Sequence, residues 1–348
     1  MKRFWNAKVV SVLAWAVLTL ACGNDKPPSD NPGMDAGLPV SGVDAGTDAG
    51  TAGAPVAIAS GLPTPVPIAL DAIRVYWSSH TERPETSGVF TMPRTGGTVT
   101  RLADGSPANL ALDETYVYFG HFNELRRVPK AGGATVVLAS SSAMRPERVV
   151  VSATHLYWST HDTDGSWRIL MMPREGGTPT PLLEGEQAIR SLVLDGADLF
   201  WSLDADTECG RDPNAARNGA IVKRSLQTGV SSTLVTGLCL ASPIAVDDSS
   251  IYYFVGTGLS RIPRAGGSSE SLALSATRVM GIAVDAERVY WSTGQEGLDP
   301  DFQLYSLRKG QSGWEVLWTQ GQPGGVAVDS QALFWTTRAG GEIYSRFK

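Results

Sequence analysis

Residues 285–294 read DAERVYWSTG, and the stretch has six near-copies in the same chain: DAIRVYWSS, DETYVYFGH, SATHLYWST, DGADLFWSL, DDSSIYYFV and DSQALFWTT. An acidic or hydroxyl residue opens each copy, and two aromatic or bulky apolar residues close it. The opening residues are Asp71, Asp113, Ser152, Asp195, Asp247, Asp285 and Asp329, which follow one another at separations of 42, 39, 43, 52, 38 and 44 residues. A period near forty with no helical patterning marks a repeat architecture, and the repeat is where the reading must begin.

Each unit holds four short runs of strand character. Strand a precedes the anchor residue, as in NLALD, LVLD and IAVD, and strand b carries the aromatic pair. Strand c leads into a glycine turn in VFTMPRTGG, LRRVPKAGG, ILMMPREGG and LSRIPRAGG, and strand d follows at once. Four strands per unit describe the blade of an all-β propeller, and seven units predict a seven-bladed β-propeller spanning 54–348. The last unit ends at GEIYSRFK, which supplies strand c and stops. Residues 54–61, APVAIASG, match the strand-d template and are expected to close that last blade, covering two exposed sheet edges.

The aromatic pairs are then packing groups between blades, each able to bury about 150–250 Å². The anchor Asp suits the a–b turn, where its carboxylate can accept backbone N–H bonds. Arg94, Lys130, Arg174 and Arg264 in the glycine turns fall on the same face as those carboxylates and are placed to pair with them. That face reads as scaffold. The VYWS motif with its upstream Asp resembles the YWTD-type and NHL-like propeller repeats over nearly all of 54–348. The YWTD relatives have six blades and a Thr-Asp ending where this chain has Ser or Thr alone. The resemblance implies a propeller that binds proteins or other ligands, with a few lyases among its seven-bladed relatives.

Ahead of the repeats, residues 1–21 have a basic start at Lys2 and Arg3 and an apolar run from about Val9 to Ala21, the build of a secretory signal too short to span a bilayer. Thr-Leu-Ala-Cys ending at Cys22 resembles the lipobox of bacterial lipoproteins, although Thr19 and Leu20 depart from its favoured residues. The resemblance implies acylation of Cys22, attachment to the cell envelope and, from Gly23, sorting to the outer membrane. Ordinary cleavage near Ala21 is the alternative. Residues 22–53 are dominated by Asp, Ala, Gly and Pro, with too little apolar surface to fold, and read as a flexible tether. A net charge of −6 without a basic block argues against a nucleic-acid partner. A monomer is expected.

Function is expected on the opposite face, where the b–c loops are long in blades 1, 3, 4 and 6. Over 78–88, 159–167, 202–219, 292–302 and 336–341 they hold eleven acidic residues and four arginines. Variable polar loops on a rigid frame are where binding concentrates. His80, His121 and His161 follow strand b in consecutive blades, with Asp204 and Arg338 at matching places in blades 4 and 7. They are the candidates for proton transfer or zinc ligation. Asp162 and Asp164, and Asp204, Asp206 and Glu208, alternate oxygen ligands as a calcium site would, without completing an EF-hand loop. Cys209 and Cys239 flank blade 4 on one face, and a disulfide between them would close a loop of about 30 residues and stabilise by roughly 3 kcal/mol. No GxSxG, HExxH, CxxC or P-loop pattern occurs. The sequence therefore points to an envelope-tethered binding propeller, its ligand a protein, small molecule or glycan. An exported lyase or hydrolase built on the histidines is the alternative.

Overall fold

The computed structural model describes residues 53–348, apart from 82, 84, 85, 106, 186, 205–216, 240, 257, 275–278 and 295–301. The signal segment, Cys22 and the tether lie outside the described residues. Among the described residues there are 28 strands and no helix. They form seven antiparallel four-stranded sheets, six of them consecutive in sequence. The seventh has Val56–Ala59 paired with Glu342–Phe347, so the strand from the start of the repeats closes the last blade as predicted. The register is Val56 opposite Ser345 and Ala57 opposite Tyr344, and the Leu62 N–H extends the pairing to the Gly341 carbonyl at 2.7 Å. Strands a of neighbouring blades touch one another around the axis, which places them at the centre of a ring.

The repeated aromatics explain why the sheets stack. The hydrophobic core divides into seven clusters, and each is one gap between blades. The first aromatic of one blade meets the second aromatic of the next: Tyr76 with Phe119, Tyr118 with Trp158, Tyr157 with Trp201, Phe200 with Tyr253. The series continues with Tyr252 and Trp291, then Tyr290 and Trp335, and returns through Phe334 to Trp77 of blade 1. Trp77, Trp158 and Trp335 are fully buried. The indole N–H of Trp77, Trp158, Trp201, Trp291 and Trp335 is buried without an acceptor, so these residues contribute volume and not a hydrogen bond.

The fourth residue of the motif has a different task. In six of seven blades strand a shifts register near its start, between Pro146 and Arg148 in blade 3 and between Ile189 and Ser191 in blade 4, for example. Such bulges leave backbone groups without ladder partners. In blades 1, 3 and 7 the motif hydroxyl fills the vacancy, whereas Ser202 Oγ of blade 4 is buried with no partner among the described residues. Ser78 Oγ lies 2.9 Å from the Val66 carbonyl and 2.8 Å from that of Pro107 in the next blade. The Arg148 N–H donates to Ser159 Oγ at 3.2 Å, and the Gly325 N–H to Thr336 Oγ1 at 2.9 Å. Blade 2 has only Ala111–Leu112 as strand a, and there Asn109 clasps the backbone of Val149 with both ends of its amide, at 3.0 and 2.7 Å.

Candidate functional site

The two faces of the ring are built differently, and the contrast locates the site. On the turn face, the anchor Asp accepts two backbone N–H bonds across its own a–b turn: Asp71 Oδ1 takes those of Ile73 at 3.0 Å and Arg74 at 2.8 Å. Its other oxygen accepts the Tyr76 hydroxyl at 2.7 Å and the Lys130 ammonium of blade 2 at 2.9 Å. The same latch recurs between blades. Arg174 reaches Asp113 at 3.5 Å and Arg94 reaches Asp329 at 2.5 Å, while Arg264 meets Asp195, Lys309 meets Asp247 and Lys348 meets Asp285. Several of these cations also lie over the aromatic ring below, as Arg94 does 4.9 Å from the centre of Phe334. Sequence reasoning found four of the cations; Lys309 and Lys348 sit in turns without the PRxGG spelling.

One interface lacks both halves. Blade 3 has Ser152 in place of Asp, and blade 4 has Leu226 where the cation belongs. The Leu226 N–H bonds to the Ala197 carbonyl at 2.8 Å, the same backbone contact that Lys130 makes with Thr115 at 2.8 Å, so the position is equivalent. Carboxylate and cation are absent together.

Electrostatics follow the latch. Burial alone would raise the Asp71 carboxyl, but hydrogen bonds from Lys130, Tyr76 and two backbone amides hold it at about 2. Asp113, Asp247, Asp285 and Asp329 are lowered for the same reasons. Tyr76, Tyr118 and Tyr290 are raised well above the usual phenol value by burial and by the adjacent carboxylate. A cleft of about 700 Å³ opens on this face between blades 6 and 7. Its charged lining is largely paired within itself, Arg288 with Glu315 and Lys348 with Asp285.

The loop face holds the residues singled out by sequence. His80 is exposed just beyond strand b of blade 1. His121 ends strand b of blade 2 (Tyr116–His121) and packs on Phe122 at 4.4 Å between ring centres. Burial and the charge of Arg126 lower its pKa, which favours the neutral imidazole. His161 ends strand b of blade 3 (His155–His161) and stacks on Trp167 at 4.8 Å. His121 and His161 thus each pack within their own hairpin. Asp162 is buried and pairs with Arg168 at 3.1 Å, and Asp164 accepts the Ser166 N–H at 2.9 Å. Asp204 is buried against Arg190, whose Nε lies 2.8 Å from one carboxylate oxygen, while the other oxygen has no hydrogen-bond partner among the described residues. Arg338 is half-buried beside Gly324. Asp206, Glu208 and Cys209 lie outside the described residues. Among the described residues no group of three or more His, Cys, Asp or Glu side chains converges as a metal site would.

Three features of this face were not legible in the sequence. Phe122 is 82% exposed at the tip of the blade 2 hairpin and has φ of 49°, a backbone region that suits glycine far better than phenylalanine. Arg148 and Arg190 stand near the loop-face starts of strands a in blades 3 and 4, ahead of the apolar runs that mark those strands in the sequence. Their signal was the register shift beside each, which a one-dimensional pattern does not contain.

No family model and no characterised protein matches the sequence. Similar solved structures share the fold. A puromycin-hydrolyzing peptidase of Mycobacterium tuberculosis has a TM-score of 0.60 at 14% identity, over 83% of this chain and 54% of that one. The present chain thus spans about half of the peptidase's length. An oligogalacturonate lyase in complex with manganese has a TM-score of 0.60 at 11% identity, over 85% of this chain and 98% of the lyase. A TolB-like protein of Agrobacterium tumefaciens has a TM-score of 0.50 at 15% identity, over 72% and 94%. The chain is a seven-bladed β-propeller. Among the described residues, no helix is long and apolar enough to cross a membrane.

Proposed function

We propose that this propeller is a non-catalytic binding module, tethered to the cell envelope through an acylated Cys22 and presenting its loop face to a protein, small-molecule or glycan ligand. The observation that carries the reading is the asymmetry of the faces. The turn face answers its own charges with inter-blade latches at six of seven junctions. The loop face exposes Phe122 on left-handed backbone and, among the described residues, leaves an oxygen of buried Asp204 without a hydrogen-bond partner, features that cost stability in a purely structural role. A Cys209–Cys239 disulfide would pin the longest of the b–c loops, and Cys239 is buried and disulfide-bonded. The resemblance of the motif to YWTD- and NHL-like repeats agrees with a binding role.

The test has two parts. Replacing the four long loops by short turns is expected to abolish capture of envelope components while the fold is kept; unchanged capture would sink the proposal. Cys22→Ser is expected to release the protein from the membrane fraction, and continued membrane association would refute the anchor. The lyase reading draws on the fold shared with the oligogalacturonate lyase, but His121 and His161 stack in separate hairpins, so the geometry favours binding.

A further inference from the structure

At the loop-face end of the central channel, Arg148 lies near the start of strand a of blade 3 (Pro146–Val151). Its Nε donates to the Arg190 carbonyl of blade 4 at 3.2 Å, and an Nη donates to the Ala108 carbonyl of blade 2 at 3.0 Å. The guanidinium is therefore held across three blades by backbone oxygens alone. Arginine carries five N–H donors, and these contacts use two of them. Among the described residues Arg148 forms no ion pair with a carboxylate, whereas Arg190 beside it is answered by Asp204 at 2.8 Å. Burial lowers the pKa of Arg148, with Glu147 opposing and Arg190 adding to the effect. The side chain is half-buried, so solvent still reaches it.

A guanidinium partly withdrawn from water, fixed in direction and without a carboxylate in contact is costly in a structural role, since two backbone bonds need no charge. The same arrangement suits recognition: the fork is oriented in advance, and its free edge matches two oxygens of a planar anion. Arg190 is already paired with Asp204, and Glu147 adds negative charge beside Arg148, so a phosphate dianion would be repelled more strongly there than a singly charged anion. We propose that Arg148 anchors a subsite at the channel mouth for a small organic monocarboxylate. The subsite lies in the channel and not in the loops. Shortening the loops leaves Arg148 in place, and substituting Arg148 leaves the loops intact, so the two readings fail separately.

The test is a titration of the full chain with 13C-labelled acetate, followed by NMR, with inorganic phosphate and sodium chloride at matched ionic strength as the other arms. Saturable acetate binding is expected, weakened at least about tenfold in Arg148→Gln, with phosphate failing to displace the acetate. Equal affinity in Arg148→Gln, displacement by phosphate, or no saturation by about 50 mM acetate would each overturn the proposal. Should Arg148→Gln fail to fold, Arg148→Lys keeps the charge and loses the fork. It is expected to bind acetate about fivefold more weakly, and unchanged affinity there would also overturn the proposal.

Discussion

The two faces of this ring are made from the same four strands seven times, yet one is closed and the other open. On the turn face all six anchor carboxylates meet the cation of the following blade, five are also bound by the amides of their own turn, and three by their own tyrosine. On the loop face the hairpins differ in every blade, and buried polar groups such as Asp204 are only partly satisfied. The difference shows how a propeller divides its labour. Short turns repeat, so one arrangement of Asp, aromatic and Lys or Arg can hold the blades at a common spacing. Freed from that duty, the loops can diverge. The junction of blades 3 and 4 lacks the latch at Ser152 and Leu226 and still packs Tyr157 against Trp201, so the aromatic layer stacks the blades and the latch refines them.

The strongest way to break this comparison is to attack the layer both faces share. Trp77→Ala, at the closing junction, is expected to destabilise by about 3–5 kcal/mol in urea unfolding. Trp77→Phe should cost less than about 1.5 kcal/mol, because its indole N–H makes no hydrogen bond to lose. A cost for Phe equal to that for Ala would mean that the donor matters after all.

Removing one latch should matter less. Asp71→Asn and Lys130→Met are each expected to lose about 1 kcal/mol or less, with the double variant losing no more than either alone. Full additivity would show that the two residues do not act together. Phe122→Gly on the loop face should move the other way, gaining up to about 1 kcal/mol by relieving its left-handed backbone while reducing ligand capture. A loss of stability would place Phe122 in the scaffold.

The missing latch can also be built. Ser152→Asp with Leu226→Lys is expected to raise stability by up to about 1 kcal/mol, whereas either change alone should give nothing. A thermal-melting cycle reads the coupling directly, and a gain from Ser152→Asp alone would argue against an inter-blade pair.

Acid and base test all the latches at once. Asp71, Asp113, Asp247, Asp285 and Asp329 have folded pKa values below the unfolded one near 3.8, so their contribution is present above pH 4. It is lost as pH falls toward 2, the value held by Asp71. Tyr76, Tyr118 and Tyr290 are raised, so their contribution is complete below the unfolded value of 10.0 and lost as pH rises above it. After solvent screening each carboxylate is worth on the order of a few tenths of a kcal/mol. The melting temperature should therefore be flat with respect to these groups from about pH 5 to 9. A decline centred near pH 6 would point to histidine instead.

Blade number, strand order and the closing role of 54–61 could all be read from the sequence, because each depends on local alternation and on a period that repeats seven times. The task of the aromatic pair was legible for the same reason: an apolar pair on a strand covered from both sides has nowhere else to go. Which aromatic meets which across the gap was not written in any single repeat, nor was the reach of Lys309 and Lys348 to the preceding blade, since both depend on how neighbouring sheets twist past each other. The channel arginines are the clearest case. Arg148 and Arg190 look like ordinary polar positions in a strand, and only the closing of the ring, with a bulge beside each, brings them together at the inner end of their blades. Side chains set by their own strand are visible in one dimension; those set by the meeting of strands far apart in the chain exist only after the ring has closed.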